Sequence, residues 1–125
     1  MSQKGAPEQN GAIYLAVTLY SEDGRRRWSG RALLDTGAQF AMIHPLVIDE
    51  LSLKARGEAD LDTAVGPARS RAYILRVLVD GIFDDFLSAI ETQSKERFVL
   101  GRQFLLRTKL EVNWPQNSFS ITKGP

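Results

Sequence analysis

Short apolar and β-branched segments alternate with glycine, proline and Asp-Gly turn signals along this chain. Their spacing of about 8–12 residues leaves room for strands and little for long helices. The pattern predicts an all-β fold, a barrel or sandwich, with one or two short helices. Strands are expected over residues 12–20 and 25–35, joined at Ser21-Glu22-Asp23-Gly24, with Gly30 marking a bulge or bend. A short strand over 39–43 gives way at His44-Pro45 to a helix over Pro45–Leu51, since proline suits the first helical position. Residues 54–60 read as a polar linker. Strands over 61–65 and 68–79 flank a Gly66-Pro67 turn, and Asp80-Gly81 turns the chain into a strand over 82–90. Phe98–Leu100 reads as a buried strand stopped by Gly101, then a single helical turn over 103–107 and a final strand pair over 110–114 and 118–122.

The chain has 125 residues, enough for one domain with a real core. Residues 1–11 are expected to be a flexible polar arm, 12–122 the domain and 123–125 a tail. With 16 basic against 15 acidic residues, net charge argues for no polyanionic partner. The absence of cysteine excludes disulfides, thiolate metal sites and cysteine nucleophiles. His44 is the one histidine, and it reads as a capping or surface residue. No Gly-x-Ser-x-Gly elbow, phosphate-binding loop or dinucleotide fingerprint is present. No metal or cofactor is therefore expected.

The stretch with the most chemical content is Ala32-Leu33-Leu34-Asp35-Thr36-Gly37-Ala38. An apolar run delivers a carboxylate to the edge of the core, where burial is costly without hydrogen-bond donors. Gly37 permits a tight turn that aims backbone N–H groups at it. An ordinary strand-to-turn junction has the same composition, so the heptapeptide alone leaves both readings open. A second apolar strand ending in glycine, Phe98-Val99-Leu100-Gly101, also follows an Asp-Gly hairpin, a faint internal rhyme. Leu61-Asp62-Thr63-Ala64 lacks the glycine and the apolar lead-in. Asp84 and Asp85 are strand neighbours that point to opposite faces, so they form no dyad with each other. Arg25-Arg26-Arg27 reads as a solvated rim, and Trp28 and Trp114 as core or interface residues.

With these residues in hand, the chain resembles the retropepsin-like aspartic proteases, the single-domain family that includes the retroviral enzymes. The resemblance rests on Leu33-Leu34-Asp35-Thr36-Gly37-Ala38, on a hairpin around Gly66 where the family carries its flap, and on Val99-Leu100-Gly101-Arg102-Gln103-Phe104-Leu105. It implies a closed acid-protease barrel with one lobe per chain, and a homodimer whose two Asp35 carboxylates share a site that hydrolyses a peptide or protein substrate. It also implies that Thr36 and Gly37 support the loop and the dimer, with Ala38 beside them. Substrate contacts are implied at Gln39, Val65, Gly66, Pro67, Gly101 and Arg102. Two departures stand out. Gln39 occupies the position where retroviral members carry an aspartate that pairs with the arginine matched by Arg102, and Pro67 stiffens a flap that is glycine-rich elsewhere. Ala38 brings no hydroxyl to the carboxylate, so activity is expected at mildly acid to near-neutral pH. Apolar pockets are expected around Leu33, Ile43, Val65 and Ile90.

The alternative function is a catalytically idle dimerisation or peptide-binding module on the same fold. Nucleic-acid binding through 25–27 is a minor third reading, and no nucleic-acid partner is expected. Residues 1–10 lack a signal peptide's apolar core, and no segment approaches a membrane span of about 20 apolar residues. The chain reads as cytoplasmic, or as a soluble domain of a longer protein.

Overall fold

The computed structural model describes residues 2–63 and 66–124. Ten strands and two short helices follow in the order β1 (Ser2–Gly5), β2 (Tyr14–Tyr20), β3 (Arg27–Leu34), β4 (Ala41–Ile43), α1 (Pro45–Leu51), β5 (Gly57–Thr63), β6 (Gly66–Val79), β7 (Phe83–Glu91), β8 (Phe98–Leu100), α2 (Arg102–Leu105), β9 (Thr108–Asn113) and β10 (Ser118–Lys123). The large sheet runs β2-β3-β8-β4-β7-β6-β5, and β2 also pairs with β6. That pairing closes a six-stranded barrel and leaves β5 as an extra strand beyond it. A separate sheet, β1-β10-β9, lies outside the barrel.

Period-two patterning builds the barrel. On β2, Leu15, Val17 and Leu19 are buried, and on β6 so are Tyr73, Leu75, Val77 and Val79, while the residues between them face outward or are half-buried. Ile43, Val47, Leu51, Leu100 and Phe104 are fully buried in the interior. Helix α1 covers the barrel with Val47, Ile48 and Leu51. His44 caps it, its Nδ1 accepting the Leu46 N–H at 3.1 Å. The limits expected for α1 agree with the observed ones, whereas α2, expected over 103–107, runs from Arg102 to Leu105.

Several expectations are corrected. Ser2–Gly5, marked by polarity as a loose arm, pair with Thr122–Phe119 as β1; Gly5 is needed there because a Cβ would meet the Phe119 ring at 2.8 Å. Lys123, expected in a tail, completes β10. Residues 57–60, expected in a linker, belong to β5. Gly66 and Pro67 make no turn: they open β6 opposite Thr63 and Asp62. Gly30 marks no bulge. It sits in unbroken register opposite Val17, and the Trp28 indole occupies the space a side chain would need, 2.4 Å from an added Cβ. Same-face neighbours two residues apart explain this: Gly30 is small so that Trp28 can fold over it. Trp114 is no core residue, being 57% exposed.

Three solvent-accessible carboxylates, Asp85 half-buried among them, are stabilised in their charged form. The Arg76 guanidinium, 2.7 Å from Asp84, holds that carboxyl below its ordinary value. The Phe86 N–H and then Arg107 do the same for Asp85, and the Arg25 N–H and then the Ser21 hydroxyl for Asp23. A depressed native value means the contribution to stability is complete above the ordinary value of 3.8 and is lost as pH falls through the lower native one. Thermal unfolding should therefore drop to lower temperature as pH goes from about 4 to about 2. The Asp84→Asn/Asp85→Asn variant should start lower at neutral pH and fall less steeply over that interval; an unchanged slope would refute the assignment.

Candidate active site

The candidate catalytic loop is fixed by its neighbour strand. Strands β3 and β8, the two apolar runs that end in glycine motifs, lie side by side in parallel, with Leu33 opposite Val99 and Leu34 opposite Leu100. The Asp35 N–H donates to the Leu100 carbonyl at 3.0 Å, which extends the ladder by one bond and holds Asp35 at the barrel's edge. The chain then turns tightly. Asp35 Oδ1 accepts the Gly37 N–H at 2.8 Å, and the Asp35 carbonyl accepts the Ala38 N–H at 3.2 Å. Oδ2 has no hydrogen-bond partner among the described residues. The carboxylate is thus oriented by one oxygen, half-buried, and open at the other.

The second motif supports this turn from behind. The Arg102 N–H donates to the Ala38 carbonyl at 2.8 Å and the Gln103 N–H to the Gln39 carbonyl at 3.4 Å. Gly101 is pressed against backbone: a Cβ there would stand 2.4 Å from the Ala38 oxygen and 2.7 Å from that of Phe40. Its role is close approach, with no surface offered to a ligand. The Arg102 side chain reaches the Thr36 carbonyl, with Nη1 donating at 3.2 Å, and makes no hydrogen bond to the Gln39 side chain. Beside it on α2, Gln103 Oε1 is buried without a partner among the described residues.

Alongside the loop opens a cleft of about 510 Å³, lined by Gly37, Ala38, Gln39, Phe40, Met42, Asp60, Leu61, Ile90 and Arg102. The structure therefore gathers Gly37, Ala38, Gln39 and Arg102 at one opening. Gly66 and Pro67 do not line it, and Val65 lies outside the described residues. Of the apolar lining expected from the sequence, Ile90 is there, but Ile43 is wholly buried in the core and Leu33 lies off the cleft. The register explains the exchange. Met42, not Ile43, pairs with Ile90, so those two share a face while Ile43 points inward. Strict alternation along β4 carried that signal in the sequence. Phe40, Asp60 and Leu61 were not among the expected lining: the hairpin arm was expected to begin only at Leu61, which left Asp60 in a linker, whereas β5 begins at Gly57.

No family model and no curated protein matches the sequence. Among solved structures, that of a retropepsin-like aspartic protease from Rickettsia conorii is similar to this chain with a TM-score of 0.66 and 16% identity, over 96% of this chain and 98% of that one. A likeness spanning both chains end to end, on a closed barrel with two short helices, gives this protein a retropepsin-like fold.

Proposed function

We propose that the chain is an aspartic endopeptidase that acts as a homodimer, each copy contributing one Asp35. The observation that carries the reading is the Asp35 carboxylate itself, held at the end of β3 with Oδ1 fixed by the Gly37 N–H and Oδ2 without a partner among the described residues, beside a cleft of mixed polar and apolar lining. One such loop per chain is half of an aspartic dyad, so a second copy completes it. Two carboxylates about 3 Å apart cannot both ionise, and the pair shares one proton. The ionised member takes a proton from a bound water, which attacks the peptide carbonyl. The protonated member donates to the developing oxyanion. Thr36 bonds across the two-fold and Gly37 lets substrate backbone approach. The β5–β6 hairpin, with Leu61 on the cleft, serves as the flap and excludes water. The sheet β1-β10-β9 supports dimerisation, because its outer strands each present an unpaired edge among the described residues.

The test is cleavage of an unbiased peptide library between about pH 3 and pH 8, with wild type beside Asp35→Asn and beside a transition-state-mimic inhibitor of aspartic proteases. Cleavage lost in both controls supports the reading. Sedimentation that finds only monomer at high micromolar concentration, with activity retained, overturns the shared site. A verified dimer that cleaves nothing at any pH is instead a peptide-binding module.

A further inference from the structure

Among the described residues, the cleft beside Asp35 has one cation without a counter-charge. Arg102 lines it, and its guanidinium donates a single hydrogen bond, to the neutral Thr36 carbonyl; no carboxylate lies within ion-pair distance among the described residues. An arginine offers five N–H donors in a planar fork, so most of this one's capacity is unspent. The two side chains best placed to neutralise it do not. Gln39, on the same cleft, is uncharged. Asp60, also on the cleft, is engaged from the other arm of its hairpin by Arg69 Nε at 3.1 Å. The rest of the lining is small or apolar, with Phe40, Met42, Leu61 and Ile90. A guanidinium set among apolar walls is costly to cover unless the covering molecule brings a charge of opposite sign.

We propose that Arg102 reads a carboxylate of the bound peptide, so that this cleft selects substrates carrying an acidic group close to the position presented to Asp35. The proposal rests on the peptidase reading and supplies its substrate class. The Thr36 carbonyl holds the guanidinium one residue from the catalytic carboxylate, which places the selected group at a subsite next to the reacting bond. The fork geometry favours bidentate capture, which lysine cannot reproduce. The carboxylate belongs either to an Asp or Glu side chain or to a peptide's C-terminal end.

The experiment uses peptide pairs that differ only by Glu against Gln at each position around the cleavage site, each with a free or an amidated C-terminus. Wild type is assayed for kcat/KM, and Asp35→Asn for peptide affinity, which needs no turnover. One position should favour Glu by about ten- to a hundredfold, the range of a charge-assisted hydrogen bond. If the chain end is the ligand, the free terminus gains that factor instead. The preference should vanish in Arg102→Gln, survive in part in Arg102→Lys, and fade below about pH 4, where Glu itself is protonated. Because Arg102→Gln also frees the Thr36 carbonyl, Gln39→Asp provides a second route: it leaves Arg102 in place, sets a competing carboxylate on the same cleft, and should quench the preference. Equal treatment of Glu and Gln everywhere, or a preference unchanged in both variants, overturns the proposal while cleavage keeps the peptidase reading. Glu-selective binding by Asp35→Asn with no cleavage by wild type overturns the peptidase and keeps the carboxylate site. Neither binding nor cleavage overturns both.

Discussion

Asp35→Asn should lower peptide cleavage by at least about 10⁴-fold, because the substitution removes the general base and its protonated partner at once when both copies carry it. The fold should be untouched. Asparagine is nearly isosteric, its Oδ1 still accepts the Gly37 N–H at 2.8 Å, and the Asp35 N–H bond to Leu100 involves backbone alone. Unfolding temperature and sedimentation should therefore match wild type, which separates lost chemistry from lost structure. Mixing sharpens the result. After exchange in a one-to-one mixture, about a quarter of the dimers are wild type on both sides, and only these carry two aspartates. Activity should fall to about a quarter of the wild-type value at the same total concentration. A fall to one half would mean that each chain works alone and would overturn the shared site.

Much of this architecture was legible because β-structure writes itself in alternation. Leu15, Val17 and Leu19, or Tyr73, Leu75, Val77 and Val79, announce one buried face, and the proline and His44 announce the start of α1. What was hidden shares a physical cause. β1 and the first half of β5, residues 57–60, carry polar or small residues because they belong to edge strands held by backbone pairing and cross-strand charges, such as Arg69 with Asp60, with no apolar stripe for the sequence to display. Gly30 was misread because a glycine in a strand signals either a bend or a neighbour's bulk, and only the position of Trp28 decides between them. At the site, the order of residues located Asp35 and Gly101, yet Arg102's partner was invisible. Which oxygen a long side chain reaches depends on the turn's three-dimensional course, and it is the Thr36 carbonyl.

Gly101→Ala should damage both the fold and the catalytic turn. At Gly30 an added methyl group would press on the Trp28 ring and at Gly5 on Phe119, and a side chain can swing aside; at Gly124 it would meet backbone, 2.7 Å from the Arg107 oxygen, but not the turn after Asp35. At Gly101 it would stand 2.4 Å from the Ala38 oxygen and 2.7 Å from the Phe40 oxygen, both backbone. Neither can yield without moving the turn that follows Asp35, since the Arg102 and Gln103 N–H groups bond to that same segment at Ala38 and Gln39. Overpacking of this kind costs about 1–3 kcal/mol, and the upper end applies where backbone must shift. Unfolding temperature should fall by roughly 10 °C for a domain of this size. Peptide cleavage should fall further than the folded fraction does, because the surviving folded molecules carry a displaced Asp35 loop. Misplacement of about 1 Å can cost a hundredfold. Gly24→Ala is the control. Gly24 has positive φ and nothing near its missing side chain, so that variant should lose stability through backbone strain while the folded molecules keep full activity. Equal losses of specific activity in the two variants would mean that Gly101 supports the fold and not the geometry of the catalytic turn.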